Sequence, residues 1–314
     1  MMYKIIVFIS ILITIACTNR SKVVELKINK IQTLKDIPSA SGLEIFEDEL
    51  YIIGDNSPYL FKLSKDLQHR TLIPLSDTSS AIIAKSVKPD YEALSSYTLN
   101  QKTYFLVFGS GSKTPYRDSL LIIDAQEPKN IKKYSLRNFY QDLIKQSGGD
   151  KADFNLEAAA TNDKHLFLFN RGNNLIFKSD FQEFLSTLSN FKSIKSETLK
   201  FEMPEIDGTK AGFSGASITP DKKYIVFTAS VENTKNWIDD GEVLGSFIGL
   251  IRVKDQKLLY TLPVIQNGKH LKLKVESIAV ESQNDSSLNL LVVTDSDGGY
   301  SELVSINLNN YLSY

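Results

Sequence analysis

Three glutamates recur in the same local setting: Tyr91-Glu92-Ala93-Leu94, Leu156-Glu157-Ala158-Ala159 and Val275-Glu276-Ser277-Ile278. Equivalent carboxylates drawn to one place repel unless a cation, arginines or shared protons relieve them. Glu92, Glu157 and Glu276 are therefore candidates to hold a cation between them. The alternative is structural, each glutamate tying down backbone amides of its own unit. A second set of polar residues follows the apolar runs: Asp55, Asn56, Asn170, Arg171, Asn173, Glu232, Asp295 and Asp297. Arg117 and Arg171 are candidate contacts for an anion, because a guanidinium forks onto carboxylate or phosphate; pairing with a neighbouring glutamate is the plainer role.

Several motifs fail on inspection. Asp295-x-Asp297-Gly298 opens like an EF-hand loop, but Ile306 stands where the closing Glu is required. Asp239-Asp240-Gly241-Glu242 reads as a solvated acidic loop rather than a weak calcium site. Around Gly109–Lys113, Val107 and Ser112 replace the phosphate-loop glycines and Pro115 blocks a following helix. Gly212-Phe213-Ser214-Gly215-Ala216 lacks the last glycine of a nucleophile elbow. His69, His165 and His270 sit away from the repeated positions, which argues against a Ser-His-Asp triad or a histidine zinc site.

The element that must position these residues is a repeat. Five units share one plan: a short opening strand, an apolar second strand, a polar turn and a third strand. The openings contain Gly42, Glu92, Glu157, Gly215 and Glu276, at intervals of 50, 65, 58 and 61 residues, and units one and four bring Ser41 and Ser214 to the same place. Residues 50–53, 104–108, 166–169, 224–228 and 290–293 are apolar without alternation, so both faces of these strands are buried. Blades stacked around an axis bury both faces; an open sandwich leaves one wet. The expected fold is therefore all-β, a single β-propeller of five blades, or six if residues 136–153 or 180–209 conceal a degenerate unit. Fourth strands are expected at 69–74, 131–136, 196–203 and 258–264, and the fifth unit runs out of chain without one. The strand-like segment 23–28 is expected to supply it and close the ring. Helical excursions are expected at 136–146 and at 180–188, the second capped by Asp180.

Lys+Arg at 36 against Asp+Glu at 37 leaves a net charge of −1, with no basic excess to neutralise phosphates, which speaks against a nucleic-acid partner. The single cysteine rules out internal disulfides. Lys4, the apolar run 5–13 and Thr14-Ile15-Ala16-Cys17 have the build of a secretory signal, and the run is well short of the about 20 residues a membrane span needs. The Ile-Ala-Cys ending resembles the lipobox of bacterial lipoproteins, with Thr14 in place of the usual Leu. That resemblance implies removal of residues 1–16, lipidation of Cys17, a tether over 17–22 and a β-domain over 23–314. It also implies a lipid-anchored cell-envelope protein. Thr18 in place of Asp points to the outer membrane.

The Ser-Gly-Leu or x-Glu-Ala-Leu opening of the blades resembles the phytase-like esterase and strictosidine synthase/gluconolactonase propellers. Lys88-Pro89-Asp90-Tyr91-Glu92-Ala93-Leu94, the 109–112 turn with Arg117, Asn170-Arg171-Gly172-Asn173, Gly212–Ala216 and Gly241-Glu242-x-x-Gly245-Ser246 resemble an uncharacterised family of bacterial secreted propellers, over roughly residues 35–310. Propellers of the esterase and lactonase type hold calcium near the axis, a part that Glu92, Glu157, Glu276, Asn56 and Asp295 could play, although Gly42 and Gly215 interrupt the ring. Two expectations follow. One is a monomeric binding module for a small molecule, glycan or protein partner at the crown, through Ser41, Asp55, Asn56, Arg117, Asn170, Arg171, Ser214, Glu232 and Asp295. The other is a calcium-dependent hydrolase of an ester, lactone or phosphoester.

Overall fold

The computed structural model describes residues 23–78, 80–234, 241–296 and 299–313. The signal segment, Cys17 and the tether lie outside them, as do Asp239, Asp240, Asp297 and Gly298. No helix among the described residues is long and apolar enough to cross a membrane.

Five antiparallel four-stranded sheets follow one another as blades, and no sixth is present among the described residues. Blade 1 is Ala40–Phe46, Glu49–Gly54, Tyr59–Ser64 and Arg70–Pro74; blade 2 is Tyr91–Leu99, Lys102–Gly109, Ser119–Asp124 and Ile131–Ser135. Blade 3 is Leu156–Thr161, His165–Asn170, Leu175–Asp180 and Ser196–Lys200; blade 4 is Gly212–Ile218, Tyr224–Asn233, Glu242–Arg252 and Lys257–Pro263. Blade 5 takes Lys274–Gln283, Ser287–Asp295 and Ser301–Asn309 from the end of the chain and Glu25–Leu34 from its start, paired from Glu25↔Asn309 to Leu34↔Ser301. The ring is thus closed by an early strand longer than the hydropathy of 23–28 indicated.

Alternate residues of each second strand enter different cores, which explains their unbroken apolarity. Leu50 and Ile52 pack toward blade 5, whereas Tyr51 and Ile53 pack toward blade 2. Five such interblade clusters make up the core, one for each pair of neighbours around the ring. Gly42 and Gly215 serve this stacking. A Cβ on Gly42 would lie 2.6 Å from the Ile53 side chain and 2.7 Å from Leu94 Cβ, and one on Gly215 would lie 2.7 Å from Ser277 Cα.

The two segments that might have concealed a sixth blade fold otherwise. Arg137–Ser147 and Phe181–Thr187 are helices whose Phe139, Leu143, Phe181 and Phe184 fill the core between blades 2 and 3. The Asp180 carboxylate accepts a hydrogen bond from the Glu183 amide at 2.8 Å and caps the second helix, while the first starts at Leu136 without a side-chain cap. In blade 4 the second and third strands run well beyond their apolar cores, to Asn233 and from Glu242. Pairing continues past Ser230↔Ser246 to Asn233↔Glu242, with a bulge between Val231 and Glu232.

An axial pocket of mixed charge

All five inner strands carry a β-bulge at the same place, between Ala40 and Gly42, Tyr91 and Ala93, Leu156 and Ala158, Phe213 and Gly215, and Val275 and Ser277. The extra residue in each is Ser41, Glu92, Glu157, Ser214 or Glu276. A bulge leaves one residue outside the ladder and re-aims its side chain. The ring positions of blades 1 and 4 are therefore Ser41 and Ser214, one residue before the glycines with which the sequence aligned the glutamates. The glycine interruptions belong to the packing layer behind the ring.

These bulges frame an axial cavity of about 440 Å³ with contributions from every blade. Ser41, Glu92, Glu157 and Glu276 line it, together with Asp55, Asn56, Arg117, Arg171, Glu232 and Asp295. Ser214 and Asn170 do not. Ser214 is buried within blade 4, its Oγ 3.1 Å from Thr228 Oγ1. Asn170 donates to the Asp153 carbonyl at 2.7 Å and accepts from the Asn155 amide at 2.6 Å, so it braces the segment that presents Asn155 and Glu157. His69, His165 and His270 all stand outside the lining. Glu242, the described end of the acidic loop, pairs with Lys272 at 2.6 Å.

Lys85, Lys88, Asp90, Ser112, Asn155 and Lys274 also line the cavity, although no repeat marks them. The available signal was period-two spacing toward the ring glutamates, in Lys88-x-Asp90-x-Glu92 and Lys274-x-Glu276. Lys88 Nζ pairs with the Asp55 carboxylate and lies 2.6 Å from Asp90 Oδ1. Asp90 Oδ2 receives Arg117 Nη1 at 2.7 Å and the Ser110 hydroxyl at 2.5 Å. Across the pocket Arg171 donates to Glu232 Oε2 and, at 3.1 Å, to Ser230 Oγ. Lys274 Nζ bridges Glu232 Oε1 at 3.2 Å and Glu276 Oε1 at 3.4 Å. Both arginines thus line the cavity and are engaged by carboxylates of the chain itself, the pairing that the sequence offered as the plainer role.

Burial governs protonation here. Withdrawal from water drives the Glu92 carboxyl well above its ordinary range, reinforced by Asp90, Glu157 and Asp55 and opposed by Lys88. Glu276 is driven up in the same way against Lys274 and Arg171, and Glu157 is raised to about 7 against Arg171 and Lys274. Burial raises Asp55 as well, with Lys88 opposing. For Lys88, burial works against the charge, but Glu92, Asp90 and Asp55 outweigh it and hold the ammonium protonated. Seven carboxylates face five cations in the lining, so protons are shared among the acids near neutrality.

The wall is short of donors. Among the described residues six buried side-chain atoms lack a hydrogen-bond partner, and four are oxygens of this wall: Asp55 Oδ1, Asn56 Oδ1, Glu232 Oε1 and Glu276 Oε1. The last two have Lys274 as an ionic neighbour, without a hydrogen bond.

A five-bladed propeller with a closed ring and a charged axial pocket is the class of protein these features define. The chain belongs to a family of unknown function (DUF6929), whose model matches residues 36–308. No curated protein matches it. Among solved structures it is similar to the hydrazine synthase of Kuenenia stuttgartiensis (14% identity, 83% of this chain and 58% of that one, TM-score 0.41). It is also similar to the tail fibre of Staphylococcus aureus phage P68 (13% identity, 90% and 53%, TM-score 0.45). A third is the glutaminyl cyclase of Myxococcus xanthus (10% identity, 90% and 96%, TM-score 0.49). The chain spans little more than half the length of the first two.

Proposed function

We propose that the protein is a binding propeller of the cell envelope, whose axial pocket takes a small polar ligand bearing hydrogen-bond donors, and an ammonium group above all. One observation carries the reading: four buried oxygens that make no hydrogen bond belong to the wall of one cavity of about 440 Å³. Such oxygens cost free energy until a donor reaches them, and small side-chain rotations against a bound ammonium or hydroxyl would satisfy them. The volume suits a small organic molecule better than a lone ion. Envelope anchoring rests on the lipobox-like Cys17.

The calcium-dependent hydrolase has one feature in its favour: oxygens of Asp55, Asp90 and Glu92 lie within 4.8 Å of one another. The donor set is suitable, but the Lys88 ammonium already sits among these acids. The nearby hydroxyls are also engaged, Ser41 Oγ donating to the Tyr91 carbonyl at 2.5 Å and Ser214 pairing with Thr228. The wall hydroxyl beside a carboxylate is Ser112, 3.4 Å from Asp90 Oδ2, and it is held there by Arg117 at 2.9 Å and Ser110 at 2.8 Å. Binding is therefore the reading we favour.

The test is a thermal-shift panel of glucosamine, spermidine and arginine beside glucuronate and citrate. Stabilisation by the ammonium-bearing compounds, lost in Asp55→Asn, supports the reading. Stabilisation by the anions alone contradicts it.

A further inference from the structure

We infer that Asp55, Asp90 and Glu92 form a cation cage whose resident cation is the side-chain ammonium of Lys88, so that the cage is occupied without a metal and becomes a divalent-metal site only when Lys88 is lost. The cage has the composition of a hard-cation site, three carboxylates whose oxygens converge within 4.8 Å. Lys88 Nζ pairs with Asp55 and stands 2.6 Å from Asp90 Oδ1, distances too short to admit a cation between them. The lysine is held there, with only 10% of its side chain exposed. Its backbone is pinned where the segment joining blades 1 and 2 turns, the Lys88 amide donating to the Ala84 carbonyl at 2.9 Å. Asp90 Oδ2 is tied by Arg117 and Ser110, which keeps Oδ1 aimed at the position that Lys88 Nζ occupies.

A tethered ammonium differs from a metal in two ways. It cannot be removed by a chelator, and it supplies three directed donors without Lewis acidity. Deleting it leaves three close carboxylates with Arg117 on the far oxygen of Asp90 as their remaining cation, a net negative cluster that favours a divalent ion.

Thermal unfolding of the wild-type protein and of Lys88→Met, each in EGTA, then with millimolar calcium or manganese, tests this. The wild-type midpoint is expected to be unmoved by either addition. Lys88→Met is expected to melt several degrees lower in EGTA and to recover with saturable dependence on the metal, with manganese binding visible by calorimetry. If Lys88→Met does not fold even with metal, Lys88→Met/Asp55→Asn lowers the acid load, and it should fold and still bind manganese more tightly than wild type. A wild-type midpoint that falls in EGTA and returns with calcium overturns the inference. So does a folded Lys88 variant that is indifferent to manganese.

Discussion

Arg171 shows how a residue can be legible in type and misleading in role. Its planar fork suggested an external anion, yet it closes on Glu232 and Ser230 inside the wall. Sequence separation hides this pair, because Glu232 belongs to a strand extension that the polar residues around it disguised as loop. Breaking a buried pair by removing one partner leaves the other charge unpaired, so Arg171→Ala should cost about 3–5 kcal/mol in urea unfolding. A loss below about 1 kcal/mol would show that the pair is solvated.

Glu44, at the opposite end of the axis, went unnoticed in the sequence because no repeat marks it. It lines a small second cavity of about 90 Å³ and accepts a hydrogen bond from Ser96 Oγ at 3.1 Å. Burial raises its carboxyl from 4.5 to about 7, with the Ser96 hydrogen bond opposing. Folding therefore retains a proton that the unfolded chain releases from about pH 4.5 upward. Stability is greatest below that point and falls as pH rises through about 7. A shift of this size corresponds to about 3–4 kcal/mol, and Glu157, raised to about 7, acts in the same direction. Glu44→Gln should flatten part of the decline between pH 5 and 8. Identical pH profiles for the variant and wild type would refute the assignment.

Among the elements, the second strands were the most legible, because a strand covered on both faces leaves an uninterrupted apolar run. The fourth strands at Arg70–Pro74, Ile131–Ser135, Ser196–Lys200 and Lys257–Pro263 fell where sparse apolar residues suggested them. The bulges were not legible. They add one residue without changing hydropathy and, being common to all five blades, offset no repeat from another, so nothing in the pattern told that Ser41 and Ser214, and not Gly42 and Gly215, correspond to the glutamates. Gly42 leaves no room for a side chain between Ile53 of blade 1 and Leu94 of blade 2, so Gly42→Val should destabilise by about 1–3 kcal/mol through overpacking. The closing strand makes a second prediction. Removing residues 23–34 exposes the edge of Ser301–Asn309, and the truncated chain should lose its cooperative transition or aggregate. A peptide of that segment should restore the transition by adding back the strand. A truncated chain that melts like the full one would refute closure by this strand.

For the whole molecule, apolar periodicity and repeat spacing were enough for an all-β ring of five blades, and the two helices appear as additions to one interblade core. The pocket was legible only in part. Residues on the repeated bulges and strand ends could be named, whereas Lys88 and Asp90 enter through an inter-blade connection and Lys274 from the first position of its strand, places that no repeat marks. Envelope attachment is a separate matter from the fold. Cys17→Ser should release folded protein from the membrane fraction, and continued retention of that variant would contradict lipid anchoring.

The most direct measurement of the central claim is a calorimetric titration of the ammonium-bearing compound that best stabilises the protein, into wild type and into Asp55→Asn and Glu276→Gln. The account predicts one site per chain, with protons released on binding as the shared acids ionise, and an affinity at least tenfold weaker in each variant. Binding unaffected by both substitutions would place the ligand elsewhere and contradict the axial pocket as the functional site.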